Sequence, residues 1–236
     1  MTPEDFDALW VTLKLALVST SVLLVLGGAL AYWLANTHSR LKTMVHLFVA
    51  MPLVLPPTVL GFYLLMLLSS TGPLAWFYHV TGLGALAFSF HGLVIGSCIY
   101  SLPFVVQPMV TAFRRIPQPI KEVAATLGAK PLRVFFTVQL PMVKDSVIAA
   151  AILGFAHTLG EFGVVLMIGG NIPGETRVAS IAVYEHVESL NYASAHYLSG
   201  ILIIIALAML SALFLLNRNK IGLSSLSSSA DRDSAV

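Results

Sequence analysis

The chain has 236 residues, 57% hydrophobic and only 10% charged, with a mean hydropathy of +0.87 and a net charge of +2. Soluble domains carry roughly 25% charged residues, so this composition excludes an ordinary soluble enzyme, and a charge near zero offers no electrostatic footprint for nucleic acid. The single cysteine, Cys98, excludes an internal disulfide and a cysteine zinc cluster.

The N-terminus, Thr2-Pro3-Glu4-Asp5-Phe6-Asp7, is acidic, whereas a cleaved signal peptide starts basic, so none is read. A membrane-crossing helix needs about 20 apolar residues. The first span is expected at 10–35 and the second at 44–69. The second contains Pro52, Pro56 and Pro57, followed by Thr58. Prolines inside a span free backbone carbonyls, which need protein or a water-filled cavity beside them. The third span, 85–113, repeats the theme with Ser97, Ser101, Pro103 and Pro108, and its Gly92-x3-Gly96 permits close helix approach. A pathway lined by Pro56, Pro57, Thr58, Ser97 and Ser101 and ordinary packing kinks are both open readings.

Residues 114–141 form a charged island. Pro117 and Pro119 break the preceding helix and start a new one. Ile120, Val123, Ala124 and Leu127 share one helical face, and Glu122 lies in the first turn, where the helix dipole favours an anion. Gly128 is placed to end this helix in a left-handed conformation, and Pro131 starts a second short helix. Such an element gives a soluble partner something to grip.

The fourth span is expected at 142–168 and carries Glu161 in Gly160-Glu161-Phe162-Gly163. A carboxylate at that depth faces protein or water, as a hydrogen-bond anchor between helices or as a gate of the pathway. His157 and Glu161 share an i, i+4 spacing, but a metal site needs further ligands that the sequence does not offer. Residues 176–190 are too short and charged to span, which leaves an amphipathic dip into the outer leaflet as an option. The fifth span is expected at 192–216, and the serine-rich tail, 224–236, has the composition of a disordered cytoplasmic segment.

Eleven of the thirteen Lys and Arg residues fall in 36–43, 114–144 and 217–236. The positive-inside rule then puts the N-terminus outside, the C-terminus inside and the charged island in the cytoplasm. The expected fold is an all-α polytopic membrane protein with five transmembrane helices in one domain, residues 1–223. No Gly-x4-Gly-Lys-[Ser/Thr] occurs, so the chain lacks a phosphate-cradling loop and is not read as an enzyme. ATP-driven work would need a partner subunit.

The run Glu122-Val-Ala124-x3-Gly128 … Val138-Gln-Leu140-Pro141 resembles the cytoplasmic "EAA" loop of ABC-importer permeases, with Val123 and Val138 as conservative departures. Pro52-Leu-Val-Leu-Pro-Pro57, Ser101-Leu-Pro103, Leu159-Gly-Glu-Phe-Gly163 and Gly170-Asn-Ile-Pro-Gly-Glu-Thr-Arg177 are similar to molybdate-importer permeases, and sulfate-importer permeases share part of the pattern. The resemblance implies a type I ABC importer fold in a bacterial inner membrane and a homodimer of permeases in the lipid bilayer. Two ATPase subunits would use the ATP, and an external molybdate-binding protein would deliver the substrate. Glu122, Ala124, Gly128, Leu140 and Pro141 would couple to the ATPase. Permeation of a related oxyanion, sulfate or tungstate, or transport without ATP, are the alternatives.

Overall fold

The computed structural model describes residues 2–81, 84–126 and 128–233, and it is all α-helical among them. Helix α1, Pro3–Asn36, opens with a capping box: the Thr2 hydroxyl accepts from the Asp5 amide, and the Asp5 carboxylate accepts from the Thr2 amide at 2.7 Å. The sequence placed the start of this span seven residues later, at Trp10. The cap and Pro3 at the first helical position extend the helix through the acidic end. A π-helical turn, Leu23–Gly27, interrupts it where it crosses the fifth helix.

Helices α2, Leu41–Leu53, and α3, Pro57–Leu68, occupy the expected second span, but they meet at 113°. The segment expected as one span over 44–69 is thus broken at its prolines into two helices. A residue before proline is pushed towards extended backbone, and Pro56, before Pro57, is extended at φ −55° and ψ 135°. A short helix that the sequence did not suggest, α4, Ala75–Thr81, folds back so that the Tyr78 hydroxyl donates to the Leu68 carbonyl at 2.9 Å.

Helix α5, Phe90–Arg114, is capped by Ser89, whose hydroxyl accepts from the Gly92 amide, and it carries Pro103 and Pro108 internally. Helix α6, Gln118–Thr126, follows at the charged end. Pro131 then opens a single long helix, α7, Pro131–Leu159, not a second short one. The fourth span also ends earlier than expected. The chain leaves the helix at Gly160-Glu161 and resumes as α8, Gly163–Gly169. Gly160 and Gly163 flank the break, and a Cβ on Gly163 would lie 2.7 Å from the Pro57 ring, so only glycine lets α8 seat against α3.

Helix α9, Ala179–Glu188, lies antiparallel to the first turns of α1: Ala179 meets Thr12, and His186 meets Asp5. Helix α10 runs Tyr192–Asp233, with its apolar section at Tyr192–Leu215. Its helical backbone continues into the serine-rich stretch whose composition predicts disorder. Adding a residue to an existing helix needs no new nucleus. Residues 234–236 of that stretch lie outside the described ones.

Among the described residues, four helices are long and apolar enough to cross a membrane, or five if α2 and α3 form one bent span. The centre is α1, α5 and α7, packed through Leu34, Val105, Val106, Phe113 and Ala150. The outward faces of α2 and α10 stay apolar, with Leu47, Phe48, Ile204 and Phe214 exposed. Apolar surface on that scale faces lipid or another subunit.

Candidate translocation pathway and coupling element

Two regions carry the sequence-predicted residues. At the charged end, α6 presents Glu122 and Val123 to solvent, and Val123 is 58% exposed although its spacing puts it on the apolar face. The Ala124 side chain and Leu127 lie outside the described positions. Gly128 has φ +73°, the left-handed conformation expected of it, with nothing within 4 Å of where a Cβ would sit. Leu140 is half-buried and Pro141 exposed, in the first half of α7. A polar cavity of about 450 Å³ beside this element is lined by Asn36, His38, Arg114, Arg115 and Gln118, which brings the ends of α1 and α5 together.

The second region lies at mid-height. Ser97 and Ser101 of α5 are fully buried and Glu161 is 4% exposed. Ser101 Oγ lies 2.9 Å from His157 Nδ1 and 3.0 Å from Thr158 Oγ1. The Glu161 backbone carbonyl accepts from Ser180 Oγ at 2.6 Å. The Ser97 hydroxyl is the polar neighbour of the Glu161 carboxyl, and no hydrogen bond of ordinary geometry reaches either group among the described residues. Pro56 and Thr58 do not join this cluster. They lie exposed at the α2–α3 bend, with Pro57 against Gly163. The structure thus gathers Ser97, Ser101 and Glu161, adds His157 and Thr158, and sets the proline bend apart.

Sequence reasoning missed a polar lock at the opposite end. The Arg177 side chain is 5% exposed and donates to Glu4 at 2.9 Å and Glu185 at 3.0 Å. Buried His186 Nε2 pairs with buried Asp5 Oδ1 at 2.7 Å. The partners Glu4–Arg177 and Asp5–His186 are 173 and 181 residues apart in the chain. The only sequence signal was their isolation: Arg177 is one of two cations away from the basic loops.

Residues 24–219 match the family model described as a binding-protein-dependent transport system inner membrane component. The chain is 51% identical over 224 residues to the molybdenum transport system permease protein ModB of Azotobacter vinelandii, covering 95% of this chain and 99% of that protein. It belongs to that permease family. The permease is also 33% identical to ModB of Escherichia coli K12, covering 90% and 93% of the two chains. It is 30% identical to the sulfate transport system permease protein CysT of Synechocystis, covering 92% and 76%. Its fold matches a bacterial alginate ABC transporter chain at TM-score 0.73 and 18% identity, covering 92% and 79%. It also matches a chain of the MetNI methionine ABC transporter at TM-score 0.66 and 18% identity, covering 93% and 99%. The permease is a multi-pass bacterial inner-membrane transport subunit without a nucleotide-binding motif. No group of three or more His, Cys, Asp or Glu side chains is placed to hold a metal among the described residues.

Proposed function

We propose that this permease forms the molybdate pathway of an ATP-driven importer. It would work as a homodimer with two ATPase subunits and an extracytoplasmic molybdate-binding protein. The observation that carries the substrate is the 51% identity to a molybdenum permease along nearly the full length of both chains. The sulfate permease at 30% makes sulfate the second reading. The bent α2–α3 pair counts as one span, which gives five spans with the N-terminus outside and the C-terminus inside. The clustering of Arg114 and Arg115 with the end of α1, opposite Glu4, Asp5 and Glu185, supports that orientation.

In this reading α6 and Gly128 dock on the ATPase, together with Leu140 and Pro141. Closure of the ATPase pair draws the two docking elements together and turns the permease dimer from inward- to outward-facing. Glu161, Ser97 and Ser101 act as a gate, because a buried carboxyl with only the Ser97 hydroxyl beside it suits a group that gains partners in another conformation. Pro56, Pro57 and Thr58 give the bend that moves with it.

The test is reconstitution of permease, ATPase and binding protein in liposomes. ATP-dependent molybdate uptake, weakly competed by sulfate, is the expected result. Uptake that needs neither ATP nor the binding protein would overturn the importer reading, and sulfate preference would overturn the substrate.

A further inference from the structure

We propose that His157, with Tyr100, forms a subsite in the pathway that donates hydrogen bonds to the passing tetrahedral oxyanion. The inference rests on the importer reading and adds residues that lie outside the gate described above.

The position of the imidazole is fixed by its neighbours. Its ring stacks on Phe104 with centroids 3.9 Å apart and an interplanar angle of 26°, and lies 4.8 Å from the Tyr100 ring. Its tautomer follows from counting protons. The Thr158 side chain is buried, and its only hydrogen-bond partner among the described residues is Ser101. If Thr158 donates to Ser101 and Ser101 donates to His157 Nδ1, every hydroxyl proton in the chain is used. The reverse direction leaves the Thr158 proton buried without an acceptor, which costs free energy. Nδ1 is therefore the acceptor, and the neutral ring carries its proton on Nε2. Nε2 holds no hydrogen bond among the described residues and is not buried, and the same is true of the Tyr100 hydroxyl. Two donors on adjacent rings thus stand open and unused at mid-height.

They stand where two partly exposed stripes meet. Along α5, Tyr100, Phe104, Gln107, Thr111 and Arg115 fall at spacings of three and four and remain partly or fully exposed. Along α7, His157, Leu153, Ala149, Ser146 and Met142 do the same. The two stripes meet at the Phe104–His157 stack and again at the charged end, where Thr111, Arg115, Asp145 and Ser146 line a cavity of about 350 Å³. The Glu161 carboxyl is 4% exposed, so it makes no direct contact with an anion held at these rings. Neutral O–H and N–H donors suit a pathway, because they hold an oxyanion without trapping it as a fixed cation would.

The complete transporter in liposomes tests this with paired variants. In His157→Gln the amide nitrogen reaches about as far as Nε2 and keeps the donor. In His157→Asn the amide oxygen reaches about as far as Nδ1 and keeps only the acceptor for Ser101. Molybdate moved per ATP hydrolysed should fall about tenfold or more in the Asn variant, the worth of one hydrogen bond to a charged group, and clearly less in the Gln variant, which loses only the acceptor for Ser101. Tyr100→Phe should show a smaller loss in the same direction. The opposite order, with Asn near wild type and Gln impaired, would mean that the ring only holds Ser101 and would overturn the subsite. Equal loss in both variants, or no loss in either, would overturn it too. A wild-type assembly that moves no oxyanion would refute the importer reading and the subsite together. Wild-type uptake with the wrong variant order refutes the subsite alone.

Discussion

Gly128 has φ +73° and no atom within reach of a new Cβ, so conformation and not space fixes the residue. A β-branched side chain there costs about 1–3 kcal/mol of backbone strain, and the turn relieves it by moving α6. Gly128→Val is therefore expected to insert and purify normally but to lose most ATP-dependent uptake, while ATP hydrolysis no longer responds to loaded binding protein. Parallel uptake and hydrolysis assays check this, and full coupling would remove α6 from the docking role. Glu161 poses the opposite problem, since its buried carboxylate holds no hydrogen bond. Glu161→Gln keeps the shape and removes the cost of burying an ionisable carboxyl, so the melting temperature in detergent should hold or rise while the rate of uptake changes. A large drop in melting temperature with normal uptake would make it a structural anchor instead.

At the scale of elements, α9 is held by a cap supplied from another helix. Its first amide, Ala179 N–H, donates to Thr12 Oγ1 of α1 at 2.7 Å, while the same hydroxyl donates to the Ala8 carbonyl at 2.6 Å. Helix N-termini leave orphan donors, and here the local sequence offers Val178, which cannot cap. Thr12→Val keeps the shape and leaves a buried N–H unpaired, at a cost of about 1–3 kcal/mol. A lower melting temperature, with faster amide exchange confined to α9 and the start of α1, is the expected outcome. Unchanged exchange in α9 would show that the Arg177 and His186 pairs hold it unaided. The same contacts show why 176–190 read ambiguously. An amphipathic sequence states that one face is buried, but not that the burying surface is α1.

For the whole molecule the decisive question is which end faces the cytoplasm. Single cysteines at Asp7, Asn171 and Lys130 in a Cys98→Ala background answer it with a membrane-impermeant thiol reagent on intact cells. Labelling at 7 and 171 but not at 130 is expected, since Arg114 and Arg115 share their end with the close of α1. Labelling at 130 alone would invert the orientation and place the docking helix on the wrong side for an ATPase.

Composition and spacing alone determined that the chain is helical and apolar, where its basic loops fall, and that Gly128 takes a left-handed turn. Each of these depends on residues near one another in sequence: hydropathy over about 20 residues, the charge count of a loop, the φ range of one glycine. Tertiary structure alone decided the rest. The size of the bend between α2 and α3, and the early end of α7 at Gly160, depend on what the freed backbone can pack against. The Ser101–His157–Thr158 chain joins positions 56 and 57 residues apart, and Glu4–Arg177 and Asp5–His186 join positions 173 and 181 apart. Hydrogen bonds over such separations leave no periodic trace in sequence, because each partner alone reads as a stray polar residue in an apolar helix.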